Sequence, residues 1–244
     1  MPEPASDVAN AIARDGFALV ENVLSADQIE RLRGAASAGT ALRRSGSAYG
    51  SRTLLAVREV RQIAAERTIR DIIEPVVGQA AMPVRALSFD KTPEANWPVL
   101  WHQDLTIAVA ERHDLGGWGP WSTKAGVAHV EAPAELLAGM LTIRLHLDDC
   151  DASNGPLRVI PGTHAFGRLT RNDIGEHLSA RNEVTCLAPL GSALLMRPLL
   201  LHASSAAERP GHRRVIQIEY ADRAALPAPL AWAAALQLMV DVQN

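Results

Sequence analysis

A histidine and an aspartate two positions apart are the first residues whose types and spacing could do chemistry, in Trp101-His102-Gln103-Asp104. Side chains alternate in direction along an extended segment, so His102 and Asp104 project to the same side. From there they can bind one metal ion together. A third ligand from elsewhere would complete one face of an octahedral site and leave the other face open, which is typical of non-haem Fe(II) oxygenases.

Two downstream residues extend this pattern. His202 follows the apolar run Leu199-Leu200-Leu201, as a ligand at a strand end should, and Arg213 comes eleven positions later, after a turn at Pro210-Gly211. An arginine beside the metal can bind a carboxylate through two parallel hydrogen bonds, which lysine does less well. The pattern indicates a metal site next to a binding site for a dicarboxylate.

A third segment makes the pattern more specific. It reads Asn154-Gly155-Pro156-Leu157, a short strand, then Pro161-Gly162-Thr163-His164. With it, the chain resembles the phytanoyl-CoA dioxygenase family of Fe(II)/2-oxoglutarate oxygenases, from Asp15 to Glu219. The resemblance implies a mainly β fold with flanking helices and a double-stranded β-helix (jelly-roll) core. It also implies Fe(II) at His102, Asp104 and His202, 2-oxoglutarate at Arg213, and O2 as the other cosubstrate.

Two alternating segments supply further binding candidates. In 141–148 one face is apolar and the other is polar, and in an enclosed barrel the polar face would look into the site. If that face is exposed, its residues are ordinary surface residues. In the family, the strand at 84–91 runs beside the cosubstrate. The candidates are Thr142 and Arg144 from the first segment, and Leu87, Phe89 and Lys91 from the second.

The segment 108–133 departs from a simple barrel strand. It is rich in glycine and contains Trp118 and Trp121, and long loops in compact domains are usually functional or disordered. We expect it to cover the substrate as a lid or wall, with both tryptophans in contact; the alternative is an insertion packed outside the barrel. Arg52, in the loop-like stretch 42–55, either reaches an anionic substrate or is solvated.

Composition limits the classes of partner. The net charge is −3 and the arginines are scattered, so nucleic-acid binding is not expected. No apolar run is long enough to span a bilayer, so no membrane partner is expected either. Two cysteines, Cys150 and Cys186, fit a reducing compartment, and the predicted location is cytoplasmic. We expect a single domain over 1–244 acting on a small molecule; the oligomeric state is not indicated.

The coarse secondary structure is read from period and capping signals. Helices are expected at 7–14, after Ser25 and at 65–77. The segment 168–181 is polar and is expected to lie on the surface. The segment 227–240 is expected to be a closing helix or an oligomer contact. Gln103 and Arg214 should face away from the side that carries the metal ligands and Arg213.

Three functions are compatible with these residues. The first is a dioxygenase that hydroxylates an unactivated C–H bond of a small molecule and releases succinate and CO2. The ligand carboxylate Asp104, which related halogenases replace with a small residue, favours it. The second is a cupin-like metal-dependent isomerase or hydrolase, for which Arg213 would have no purpose. The third is a barrel that binds ligand without catalysis.

Overall fold

The computed structural model describes residues 5–44 and 46–234. The predicted helices near the N-terminus are confirmed, the one expected at 65–77 is a single helix over Arg67–Val77, and the helix Arg58–Ala65 before it was not predicted. The described α-helices are α1 (Ala5–Asp15), α2 (Ala26–Ala35), α3 (Arg58–Ala65), α4 (Arg67–Val77), α5 (Ala134–Gly139) and α6 (Arg171–Ala180).

Most of the described strands lie after α4 in the chain. They are β1 (Phe17–Val20), β2 (Thr40–Arg44), β3 (Ser47–Arg52), β4 (Ala81–Asp90), β5 (Val99–His102), β6 (Thr106–Val109), β7 (Trp121–Lys124), β8 (Val127–Glu131), β9 (Leu141–His146), β10 (Leu157–Val159), β11 (Val184–Cys186), β12 (Ala193–Met196), β13 (His202–Ser204) and β14 (Arg214–Asp222).

A seven-stranded antiparallel sheet, in the order β1-β12-β9-β14-β4-β3-β2, carries the helices on its outer face. Helix α4 packs on β4, β9 and β14, and Tyr220 of β14 donates a hydrogen bond of 2.9 Å from its hydroxyl to the carbonyl of Ala64 in α3. The apolar residues Ile143 and Ile218 belong to this helical core. All six residues of β9 are buried, because one face meets the helices and the other faces the barrel interior.

A four-stranded sheet, in the order β11-β10-β13-β5, faces the larger one. Between them lies a small apolar cluster with Leu157 and Val159 from one sheet and Leu194 and Met196 from the other. Two facing antiparallel sheets around such a cluster make the jelly-roll core that the sequence predicts. The cluster fills one end of the barrel and leaves the other end to polar residues.

Three segments differ from their predicted structure. The stretch 42–55 contains the hairpin of β2 and β3, with β3 paired to β4, and 168–181 contains α6, whose capping box is formed by Thr170 and Asp173. The segment 108–133 contains the end of β6 and the strands β7 and β8 of a three-stranded sheet, with irregular structure only over 110–120 and near the turn and end of the hairpin. Of the predicted closing segment, 235–240 lies outside the described residues. No described helix is long and apolar enough to cross a membrane.

Candidate active site

The two histidines of the predicted triad lie opposite each other on paired strands. His102 ends β5 and His202 begins β13, and the antiparallel register makes them partners, with ring centroids 4.2 Å apart. Asp104 follows β5, where its backbone N–H donates to the carbonyl of Pro198 at 2.9 Å. One ligand atom from each of the three residues lies within 4.8 Å of the others. Pairing of β5 with β13 therefore brings residues 100 positions apart to one point.

Each histidine is oriented by the carbonyl two residues before it. The Nδ1 atom of His102 lies 2.8 Å from the oxygen of Leu100, and Nδ1 of His202 lies 2.9 Å from the oxygen of Leu200. A carbonyl can only accept, so Nδ1 carries the proton and the lone pair of a neutral ring is on Nε2. Both Nε2 atoms face Asp104, at 3.6 Å for His102 and 3.9 Å for His202. The sequence analysis did not identify these orienting groups.

The protonation states suit a divalent cation. Burial raises the pKa of Asp104, but the two adjacent imidazoles outweigh it, so the carboxyl pKa is well below its usual range and the group is a carboxylate. Burial lowers the pKa of His202 to about 4, although Asp104 opposes this. A carboxylate and a neutral imidazole are the forms that bind metal. Two imidazole nitrogens and one carboxylate oxygen fit Fe(II).

A cavity of about 170 Å³ opens next to the triad and contains three buried cations. Lys91, Arg144 and Arg213 are only 1%, 7% and 4% exposed, respectively. Among the described residues none of them forms an ion pair with a carboxylate, and the Nε atoms of both arginines have no hydrogen-bond partner. A buried cation without a counter-ion is destabilising. The cavity is therefore built for an anion.

Backbone carbonyls hold two of these cations in place. The ammonium of Lys91 donates to the carbonyls of Trp97, at 2.9 Å, and Ser205, and one guanidinium nitrogen of Arg213 donates to the carbonyl of Gly155. Burial and, to a smaller extent, the charges of Arg213 and Arg144 together lower the pKa of Lys91 to about 8. These carbonyls fix the positions of the cations without neutralising them.

A polar chain connects Arg144 to the region of the triad. Arg144 donates to the side-chain oxygen of Gln217, whose amide nitrogen lies 3.3 Å from a carboxylate oxygen of Glu219. Glu219 accepts two hydrogen bonds from Arg85, one of them at 2.8 Å. Burial lowers the pKa of Arg85, but Glu219 raises it more, so this pair is ionic. Gln217, Glu219 and Arg85 were missed, although each interrupts an apolar pattern on β14 or β4.

The other predicted residues fall into two groups. Leu87 and Phe89 line the cavity beside the cations. Thr142 is fully buried on the face of β9 that carries Arg144, and its hydroxyl oxygen has no partner among the described residues, yet it does not contact the cavity. Arg214 and Gln103 face away, as expected: Arg214 binds Asp148, and Gln103 binds backbone groups around the 167–169 and 199 positions.

The tryptophans of 108–133 lie away from the cavity. Trp118 and Trp121 border a shallow depression of the surface, and Arg112 lies 5.7 Å from the ring centre of Trp121. The structure does not bring them to the predicted substrate contact, because their rings pack on the rim of the outer core. Two other residues of this segment, Lys124 and His129, line a second recess together with Arg52.

The barrel, the triad and the cationic cavity define a non-haem iron oxygenase architecture. The chain belongs to the phytanoyl-CoA dioxygenase (PhyH) family, whose model matches residues 12–215. It is thereby an oxygenase of the class that uses Fe(II), 2-oxoglutarate and O2, and the cupin-like isomerase or hydrolase is not supported.

Solved structures share the fold. AviO1 from Streptomyces viridochromogenes Tue57 is 22% identical over 92% of this chain and 98% of that one, with a TM-score of 0.64. EctD from S. alaskensis, with 2-oxoglutarate and 5-hydroxyectoine, is 20% identical over 89% and 76% of the respective chains, with a TM-score of 0.69. The α-ketoglutarate-dependent epimerase SnoN from nogalamycin biosynthesis is 18% identical over 90% and 83%, with a TM-score of 0.66. A search of curated proteins gives no match.

Proposed function

We propose that the protein is an Fe(II)- and 2-oxoglutarate-dependent dioxygenase that hydroxylates an unactivated C–H bond of a small molecule. The observation that carries the proposal is the position of the His102, Asp104 and His202 triad in the wall of a cavity whose buried cations have no counter-ion. When bound there, Fe(II) and 2-oxoglutarate supply the oxidising power: one oxygen atom of O2 enters succinate and the other enters the product, with release of CO2.

The protein's own residues bind the metal and 2-oxoglutarate, orient them and shield them from water. His102, Asp104 and His202 hold the metal on one face, and the Leu100 and Leu200 carbonyls keep the imidazoles in the required tautomer. Arg213 binds the distal carboxylate of 2-oxoglutarate and Arg144 adds a second donor. Lys91 was predicted to contact the substrate, and we assign to it the supply of positive charge at this end of the cavity. Leu87 and Phe89 exclude water from the cavity. Thr142 lies on the same face of β9 as Arg144 and supports that side of the binding site.

The presence of Asp104 favours hydroxylation, because a three-ligand face leaves no additional position for a halide. Epimerisation and desaturation use the same site, so product analysis distinguishes them. The proposal also includes one domain over 1–244 with 108–133 as a wall beside the substrate. It further includes a cytoplasmic location, without nucleic-acid or membrane partners, which the two free cysteines Cys150 and Cys186 fit.

The first test is the visible spectrum of the protein with Fe(II) and 2-oxoglutarate without oxygen. We expect a weak charge-transfer band that requires both additions and is lost in His202→Ala and Arg213→Gln. Arg214→Gln is the matched control, because Arg214 is the next residue but faces Asp148 on the other side of the sheet. Metal binding without the band would reject the cosubstrate site.

The second test is turnover. Admission of ¹⁸O2 should yield succinate with one labelled oxygen, and a substrate should yield a product with the other label. If succinate forms but the product has no labelled hydroxyl group, and instead has an inverted stereocentre or a new double bond, hydroxylation is rejected. The assignment to the Fe(II)/2-oxoglutarate oxygenases is then retained. Absence of succinate with every candidate substrate would support a non-catalytic barrel.

A further inference from the structure

A second recess adjoins the cavity at residues 84–87 in the middle of β4, whereas Lys91 follows the end of that strand. Both hollows share Arg85 and Leu87 in their walls, and the recess holds about 30 Å³. That volume accommodates a group of a few atoms and not a whole molecule. The basic residues of the two hollows differ: Lys91, Arg144 and Arg213 line the cavity and not the recess. The recess is therefore distinct from the site proposed for 2-oxoglutarate.

Three basic side chains from three strands line this recess. Arg52 ends β3, Lys124 ends β7, and His129 lies in the middle of β8. In the part of the chain that the structure describes, neither Arg52 nor Lys124 forms an ion pair or a side-chain hydrogen bond. Nδ1 of His129 lies 3.0 Å from the carbonyl of Val127, which leaves Nε2 for another partner.

The charges in the recess repel one another. Burial lowers the pKa of Lys124, and the charges of Arg85 and Arg52 lower it further. Burial also lowers the pKa of His129 to about 4, and the charges of Arg85, Lys124 and Arg52 add to this effect. Two carboxylates, Asp104 and Glu219, lie near enough to favour the charge of Lys124, but the first belongs to the metal triad and the second is paired with Arg85.

We propose that the recess binds the anionic group of the substrate, so that the substrate is a small carboxylate or phosphate ester. Arg52 and Lys124 hold the anion, and the rest of the molecule extends along Leu87 towards Asp104, where a C–H bond is presented. The proposal rests on the proposed function and names its substrate class. It assigns the segment 108–133 a role through Lys124 and His129 instead of through the tryptophans.

The test uses simple probes on the whole protein loaded with Fe(II) and saturating 2-oxoglutarate without oxygen. Isothermal titration calorimetry compares n-butyrate, n-butyl phosphate and the uncharged butyramide. We expect an anion to bind at least tenfold more tightly than the amide, since a hydrogen bond to a charged group contributes roughly this factor. Preference for butyrate indicates a carboxylate substrate, and preference for butyl phosphate indicates a phosphate ester.

Variants locate the binding. Arg52→Gln and Lys124→Gln should each weaken binding of the preferred anion roughly tenfold. Arg43→Gln is the matched control, because Arg43 lies in the same hairpin as Arg52, is exposed and donates to the carbonyl of Gly46. Anions that bind no better than the amide, or that bind equally well to both recess variants, would overturn the proposal.

Failure of the proposed function would look different. The charge-transfer band is recorded in the wild-type protein before each titration. Absence of the band rejects the cosubstrate site, while the comparison of anion with amide, which needs no turnover, still decides on the recess. Presence of the band without preference for anions rejects the recess alone.

Discussion

Replacement of Arg144 by methionine should have opposite effects on the free protein and on its complex with 2-oxoglutarate. Burial and, to a smaller extent, the charge of Arg213 together lower the pKa of Arg144 from 12.5 to about 10. A pKa lowered by that much corresponds to about 3 kcal/mol of penalty on the charged form. Methionine replaces the unbranched aliphatic part of arginine and carries no charge, so it removes the penalty.

The substitution also has a cost. Gln217 loses the hydrogen bond from Arg144, and a buried amide oxygen without a donor costs about 1–3 kcal/mol. The free energy of unfolding of the free protein should therefore stay unchanged or rise by up to about 2 kcal/mol. Binding of 2-oxoglutarate should weaken by at least about tenfold, because one charged hydrogen bond to the ligand is lost.

Urea unfolding with Fe(II), with and without 2-oxoglutarate, measures both effects. At a ligand concentration one hundred times the wild-type dissociation constant, the ligand stabilises the wild type by about 2.7 kcal/mol and a tenfold weaker variant by about 1.4 kcal/mol. The control is Arg197→Met: burial also lowers the pKa of Arg197, which donates to the carbonyl of Met140 outside the cavity. Equal ligand stabilisation in Arg144→Met and wild type would refute the reasoning.

Three further predictions concern stability. Burial raises the pKa of Asp148, but Arg214 and Arg33 lower it overall, so its stabilisation is complete above the unfolded-state pKa and is lost as pH falls through the lower folded-state value. Asp148→Asn should cost about 2 kcal/mol at pH 7, and urea unfolding should show that this cost decreases steadily as the pH falls below about 4. Gly155 has φ +74°, and an added Cβ would lie 2.7 Å from the oxygen of Ser205, so Gly155→Ala should lower stability by about 1–3 kcal/mol in thermal unfolding and weaken 2-oxoglutarate binding. Removal of Fe(II) by a chelator should lower the melting temperature, and an unchanged melting temperature would contradict metal binding at the triad.

The inner face of the barrel was predictable from alternation. Thr142, Arg144 and His146 occupy every second position of β9, and a period of two assigns them to one face whatever the partner strands are. The same rule separates Arg213 from Arg214, and the structure confirms it: one guanidinium lies in the cavity and the other binds Asp148. Local sequence is sufficient in such cases because the direction of a side chain depends only on its own strand.

Short strands without an apolar pattern were not predictable. The strands β2 and β3 have the sequences TALRR and SAYGSR. Their regular structure depends on the backbone pairing of β3 with β4, which the local sequence does not encode. The strands β7 and β8 flank a two-residue turn at Ala125-Gly126 within a glycine-rich region, so the region resembled one loop.

Contacts between distant strands were equally hidden. Arg85 and Glu219 are 134 positions apart and meet because β4 pairs with β14. The recess likewise depends on three strands that meet only in the fold, and the sequence analysis singled out Arg52 there without its neighbours Lys124 and His129. Residue types identify possible chemistry, but the register of distant strands decides which groups act together.

The pairing of His102 with His202 has a consequence for the folding of the chain. Strand β5 is an edge strand held by β13 alone, and a metal ion bound to both histidines would join them as a removable cross-link closing a loop of 100 residues. By analogy with a covalent bridge, closing such a loop restricts the unfolded ensemble by on the order of 4 kcal/mol. Amide hydrogen exchange along 99–104 should therefore slow when iron binds. The lifetime of the pairing between β5 and β13 would then depend on the concentration of available iron.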